Sequence, residues 1–285
     1  MIQLKSSREI ELMSQGGKIL GQTVDKLRES VKPGMSTADL DHIAEQFIRS
    51  HDGATPAFKG LYGFPGNICT SINDEIVHGI PSKRRVLRDG DIISIDVGVG
   101  YKGFFTDSAV TVAVGKVDAK TAKLLDVTVQ ALEAGIAEAH VGNHIGDIGA
   151  AVQAVVEDAG FSVVRDLVGH GIGVEFHEEP QVPNYGKPKR REKLVPGLTL
   201  AIEPMVNAGG PATRTLPDRW TIVTADGKYI GTLTDEGALP SPYHNVKGGT
   251  GAFQGPTDAG GGMAGVRLIA TWILGPVVSI RFSAR

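Results

Sequence analysis

Ile92-Ile93-Ser94-Ile95-Asp96-Val97-Gly98-Val99-Gly100-Tyr101-Lys102-Gly103-Phe104-Phe105-Thr106-Asp107-Ser108-Ala109-Val110-Thr111-Val112-Ala113-Val114 is the stretch whose reading decides the fold. Ile92 to Val99 and Phe104 to Val114 are β-branched and apolar, and Gly100-Tyr101-Lys102-Gly103 supplies turn residues between them, so a β-hairpin is expected. A turn centred between Tyr101 and Lys102 sets Asp96 directly opposite Asp107. Two carboxylates so placed lie roughly 5 Å apart at Cβ and repel unless a cation sits between them. Asp96 also lies inside Ile-Ser-Ile-Asp-Val, where a carboxylate is costly to bury without a partner. Taken alone, such a pair more often has a blander reading, with one Asp facing solvent or the register slipped by a residue. Further ligands have to decide.

Outward from the hairpin, Ile10, Met13, Ile19, Leu20, Val24 and Leu27 recur at helical intervals between Ser7 and about Ser30, and Pro33-Gly34 ends that helix. Ser36-Thr37 can cap a second helix with Leu40, Ile43, Ala44 and Phe47 on its buried face. Beyond the hairpin, helical patterns cover about Ala119 to Ala139 and Ile145 to Gly160. Strand-like runs follow at Phe161 to Val168, Leu198 to Ile202 and Trp220 to Thr224. Helices followed by strands, twice over, imply an α/β body with an internal pseudo-repeat.

The composition limits the alternatives. With 285 residues, 41% hydrophobic and 21% charged, the chain can bury a sizeable core, and a formal net charge of −3 disfavours a globally basic nucleic-acid binder. The single cysteine, Cys69, rules out an intramolecular disulfide, and the charged N-terminus lacks a signal-peptide core, so a cytoplasmic protein is expected. Val266 to Ile280 is interrupted by Arg267 and Gly275-Pro276, too broken for a membrane span.

Two further residues extend the carboxylate pair. His170 lies in Gly169-His170-Gly171-Ile172-Gly173, where glycines are expected to let a metal approach the ring. Glu203 lies in Leu200-Ala201-Ile202-Glu203-Pro204-Met205, an acid in an apolar strand before a proline that ends it. Two Asp, one Glu and one His without a thiolate suit Mn, Fe, Co or Zn ions, and bridging carboxylates are what a two-metal site needs. Neither a phosphate-binding Gly-Lys-Ser/Thr loop nor a Gly-x-Ser-x-Gly nucleophile elbow occurs.

These segments, together with Asn73-Asp74-Glu75-Ile76-Val77-His78-Gly79-Ile80-Pro81, resemble in order and spacing the motif series of the type I methionine aminopeptidases, from the N-terminus to about Gly227. The resemblance implies the pita-bread fold, a pseudo-two-fold repeat of helices and antiparallel strands around a central dinuclear metal site. It implies two divalent ions, from among Co, Mn, Fe, Zn and Ni, on Asp96, Asp107, His170 and Glu203. It further implies that His78 and His177 contact the substrate's N-terminal residue and scissile amide, with Glu203 as general base and His177 stabilising the oxyanion. Leu61, Phe64, Phe176 and Trp220 fall where similar enzymes build the methionine pocket, with Cys69 nearby. Without the resemblance, His177 would read as a surface histidine and the four large apolar residues as ordinary core. The implied activity is removal of the initiator methionine from nascent chains with a small second residue. It would be carried out by a monomer at the ribosome, with neither nucleic acid nor membrane required. A proline-directed peptidase of the same fold fits less well, because those relatives carry a large extra N-terminal domain.

The pattern breaks near the end. The family's fifth ligand, a bridging glutamate in a Phe/Tyr-Glu-His-Thr strand, is expected at Thr234, where Tyr229-Ile230-Gly231-Thr232-Leu233-Thr234-Asp235-Glu236-Gly237 stands instead. Asp235 or Glu236 would substitute only if the strand shifts, and a one-residue slip reverses the faces. Residues 1–235 are therefore read as the aminopeptidase domain. Residues 236–285 are read as a glycine-rich, poorly packed tail without strand partners, of the kind a shifted reading frame produces. A non-catalytic or impaired binding protein of this fold is the reading that this loss favours.

Overall fold

The computed structural model describes residues 1–226 and the strand Ala270–Ile273. The first half of the body comprises α1 (Ser7–Ser30), α2 (Thr37–Arg49), β1 (Ala54–Pro56), β2 (Ile68–Ile72), β3 (Glu75–Val77), β4 (Ile92–Tyr101) and β5 (Phe104–Ala113). Both helices start on a serine with a capping box: Ser6 with Glu9, and Ser36 with Asp39. The backbone leaves the helical region at Val31, just before Pro33.

β4 is paired along both edges, with β5 on one side and β1 and β2 on the other, all antiparallel. Because side chains alternate along a strand, Ile93, Ile95, Val97 and Val99 point one way. They pack with Leu20, Leu27, Leu40 and Ile48 of the two helices. Asp96 and Gly98 therefore point the other way, toward the centre of the molecule.

The second half repeats the plan with α3 (Ala119–Glu138), α4 (Ile145–Asp158), β6 (Ser162–Val163), β7 (Gly169–Gly171), β8 (Glu178–Val182), β9 (Thr199–Ile202), β10 (Val206–Asn207), β11 (Thr213–Thr215), β12 (Ile222–Thr224) and β13 (Ala270–Ile273). One sheet runs β13-β9-β7-β8. Its apolar residues Leu198, Leu200 and Ile202 pack on Leu132, Ile145 and Ile148 of α3 and α4. The halves meet through two alanines, Ala109 on β5 and Ala201 on β9, whose small side chains let the two sheets close on each other. β12 crosses back to pair with β3, bringing the segment after Trp220 beside the one that leads to His78.

Three expectations are corrected. The hairpin turns on Lys102-Gly103, both at positive φ (48° and 86°), so Tyr101 pairs with Phe104, Asp96 with Ala109 and Asp107 with Gly98. A two-residue turn with both φ positive matches the right-handed twist of the strands, and this selects it over the four-residue alternative. The shift is an even number of residues, so both aspartates keep the same face but lie diagonally. The expected strand Phe161 to Val168 shortens to Ser162–Val163, where the exposed pair Arg165-Asp166 interrupts the apolar run. Finally, the apolar run near the end has a partner: Ala270–Ile273 pairs antiparallel with β9. The rest of the expected tail, and Thr234, Asp235 and Glu236 with it, lies outside the described residues. No helix among the described residues is long and apolar enough to cross a membrane.

Candidate metal centre

Each predicted ligand arrives on a different device. Asp107 comes from the middle of β5 and Asp96 from β4 beside it. His170 is the central residue of β7, paired with Gln181 of β8 and Ala201 of β9. Its neighbours are glycine for a reason other than the one expected. A Cβ at Gly169 would lie 2.2 Å from the Ala201 carbonyl oxygen, and one at Gly171 2.4 Å from that of Glu179. The glycines thus let flanking backbone, rather than a metal, approach the histidine strand. Glu203 follows β9 directly, and its backbone carbonyl accepts a bond from Asn184 Nδ2 at 2.7 Å.

Asp107, His170 and Glu203 come together with ligand atoms all within 4.8 Å of one another. His170 Nε2 is 3.1 Å from Glu203 Oε1 and 3.8 Å from Asp107 Oδ2, while its Nδ1 lies 2.8 Å from the Gly171 carbonyl oxygen. With Nδ1–H donating to that carbonyl, the Nε2 lone pair is aimed at the carboxylates, the orientation a metal-binding imidazole needs. Asp107 and Glu203 are each 2% exposed, His170 8% and Asp96 5%. Two carboxylates at this separation repel by about 3 kcal/mol even at an effective dielectric of about 20. The Nε2 lone pair adds a nitrogen donor beside the two carboxylates, so the donor set fits a divalent cation. Asp96, the diagonal neighbour of Asp107 on the same face, lines the same cavity beside the trio.

The cavity above the trio has a volume of about 550 Å³. His78 and His177 both line it, as do Leu61, Phe64, Phe176 and Trp220. These four belong to one apolar cluster with Phe58, Cys69 and Ile172. Phe64 meets Trp220 edge-on with ring centres 5.2 Å apart, and Phe176 meets Phe58 likewise at 5.2 Å. Gly98 makes this possible, since a Cβ there would stand 2.7 Å from the Phe176 ring. His177 is exposed, its ring 4.3 Å from that of His170, and Tyr62 lies over it at 5.8 Å with its Oη 3.4 Å from Nδ1. His78 holds a positive φ of 58°.

Sequence reasoning passed over Phe58 and Tyr62. Phe58 offers no signal beyond an isolated aromatic. Tyr62 sits in Gly60-Leu61-Tyr62-Gly63, whose glycines at φ 88° and 87° mark a tight turn that exposes the ring.

The chain matches metallopeptidase family M24 over residues 11–249. It is 53% identical over 228 residues to the methionine aminopeptidase of Clostridium perfringens, covering 80% of this chain and 91% of that one. Among solved structures, the methionine aminopeptidase of Thermotoga maritima superposes with a TM-score of 0.82 at 35% identity, covering 96% of each chain. That of Rickettsia prowazekii gives 0.77 at 40% identity over 79% of this chain and 91% of its own.

Proposed function

The chain belongs to metallopeptidase family M24, and from that premise we propose that it is a methionyl aminopeptidase of the pita-bread fold, hydrolysing the bond after an N-terminal methionine. The observation that carries the reading is the buried Asp107–His170–Glu203 trio on the floor of an apolar-walled cavity. Asp107, His170 and Glu203 would hold one divalent ion, and Asp96 with Asp107 a second. Bound there, such ions supply Lewis-acid polarisation of the scissile carbonyl and make water a better nucleophile at neutral pH.

The chain's own groups divide the remaining work. Leu61, Phe64, Phe176 and Trp220 form a slot for the thioether side chain, which is stabilised by burial at about 25 cal/mol per Å² of apolar surface. His78 contacts the N-terminal residue and holds it against that wall. Glu203 takes the proton released by the attacking water and returns it to the departing amine. His177, beside the trio, donates to the developing oxyanion. The substrates are nascent chains with a small second residue, met by a monomer in the cytoplasm at the ribosome, since the initiator methionine is carried by newly made proteins.

The domain boundary at residue 235 belongs to the same proposal; the extent of the match to the Clostridium relative, 80% of this chain, supports it, whereas the family match to residue 249 and the pairing of β13 with β9 count against so early an end. Restoring a Phe-Glu-His-Thr segment at the fifth-ligand position should then tighten the second ion in a calorimetric titration. Equal affinity at both sites in the chain as it stands would mean that Asp235 or Glu236 already fills the role.

Release of methionine from a Met-Ala-Ser peptide tests the activity. It should require added divalent metal and stop on chelation. Undiminished release by chelator-treated protein would overturn the reading.

A further inference from the structure

His177 rides on the short loop 173–178, and that loop is tied from behind. Glu178 Oε1 accepts two backbone N–H groups of the loop, from Val174 at 2.8 Å and Glu175 at 3.1 Å. Its other oxygen, Oε2, accepts from the ammonium of Lys5, 173 residues away in sequence. The pair is buried, with side chains 3% and 5% exposed. Lys5 is itself fixed: its Nζ donates to the Gln3 carbonyl at 3.0 Å and its backbone N–H to the Gly197 carbonyl at 2.7 Å. Gly173 at the head of the loop leaves room for it, since a Cβ there would stand 2.1 Å from Lys5 Cε. The Gly173 carbonyl accepts from Phe105 N at 2.7 Å, anchoring the loop to the hairpin that carries Asp107.

We propose that Lys5 is a positioning residue for catalysis: paired with Glu178, it latches the loop that holds His177 at its working distance from the trio. The proposal rests on the role given to His177 above. A buried carboxylate keeps its charge only with a partner, and as a charged acceptor it holds two loop N–H groups more strongly than a neutral one would. Without the ammonium the loop loses its rear anchor, and His177, carried on that loop, loses its aim. The N-terminal segment before α1 thereby acts on the active site without lining it.

A double-mutant cycle in kcat on the Met-Ala-Ser peptide at saturating metal tests this, with metal equivalents and thermal midpoint measured on every variant. Lys5→Met keeps the apolar stem and removes the charge. It should lower kcat by about tenfold with KM within about twofold, as loss of alignment rather than of binding does. In the His177→Ala background the same substitution should cost almost nothing, because the group it aims is gone. Glu178→Gln should behave in the same way and serves if Lys5→Met does not fold. An equal loss in both backgrounds would make the pair a general structural support, and unchanged kcat in the single variants would dispense with it; either overturns the latch. If His177→Ala alone left kcat unchanged, the role given to His177 would fall first and the latch with it.

Discussion

His78 and His177 face the same cavity from opposite halves of the molecule, and the halves mount them differently. His78 follows β3, which pairs with β12, but the side chains that support it are close in sequence. Its own backbone sits at positive φ, Gly79 N–H donates to Ser71 Oγ at 3.2 Å, and behind it Glu75 pairs with Arg85, which also donates to the Ile80 carbonyl. All of these partners fall between Ser71 and Arg85. His177 is held by groups from the far N-terminus and from β5, through a pair more deeply buried than Glu75–Arg85, whose side chains are 18% and 24% exposed. The difference teaches that a pseudo-repeat can conserve the plan of helices on sheets while each half solves the placement of its histidine with whatever chain lies behind it.

The largest expected effect removes what the halves share. His170→Ala or Asp107→Ala should abolish metal-dependent turnover and lower metal content, since each contributes to the buried trio; wild-type turnover at metal saturation would dismiss the ligand assignment. Next, His177→Ala should reduce kcat by roughly a hundredfold with metal binding near normal, as loss of one oxyanion donor does. Loss of metal there would instead make the exposed histidine a ligand.

A smaller effect reads the Glu75–Arg85 pair behind His78. Burial pushes the Glu75 carboxyl above its ordinary 4.5, with Arg85 pulling the other way. A raised folded-state value means that its contribution to stability is fully present below 4.5 and is lost as pH rises through the folded value. Relative to Glu75→Gln, the wild type should therefore lose stability from pH 4.5 upward in urea titrations. A gap that widened with pH would put Arg85 in control.

The smallest effect is a control far from either histidine. Asp118 caps α3, accepting from Lys120 N at 2.8 Å and Thr121 N at 2.9 Å. Partial burial raises its carboxyl, but hydrogen bonds from Thr121 and Lys120 outweigh this and leave it below 3.8. Asp118→Ala should cost about 1 kcal/mol near neutral pH with turnover unchanged. The stabilisation is present above 3.8 and lost as pH falls through the lowered value, so the difference should shrink in acid.

Much of this molecule was legible because its signals are local. Helix α1 announces itself by apolar spacing and a Pro-Gly stop, α2 by a serine cap and apolar spacing, and the hairpin by β-branched runs around a glycine turn. The aspartates' shared face was readable despite the wrong register, because an even shift preserves alternation. What remained hidden depends on residues distant in sequence. Nothing near Lys5 marks it as Glu178's partner, and the glycines flanking His170 record how closely β8 and β9 approach. Tyr62 is placed by a turn whose direction only the folded chain fixes.

The trio draws Asp107 from one half of the chain and His170 and Glu203 from the other, and this has a consequence in time. At about 5–20 residues per second, Glu203 leaves the ribosome roughly 5–20 s after Asp107. During that interval the first half holds Asp96 and Asp107 without their imidazole. The buried trio can therefore close only after residues from both halves have been made.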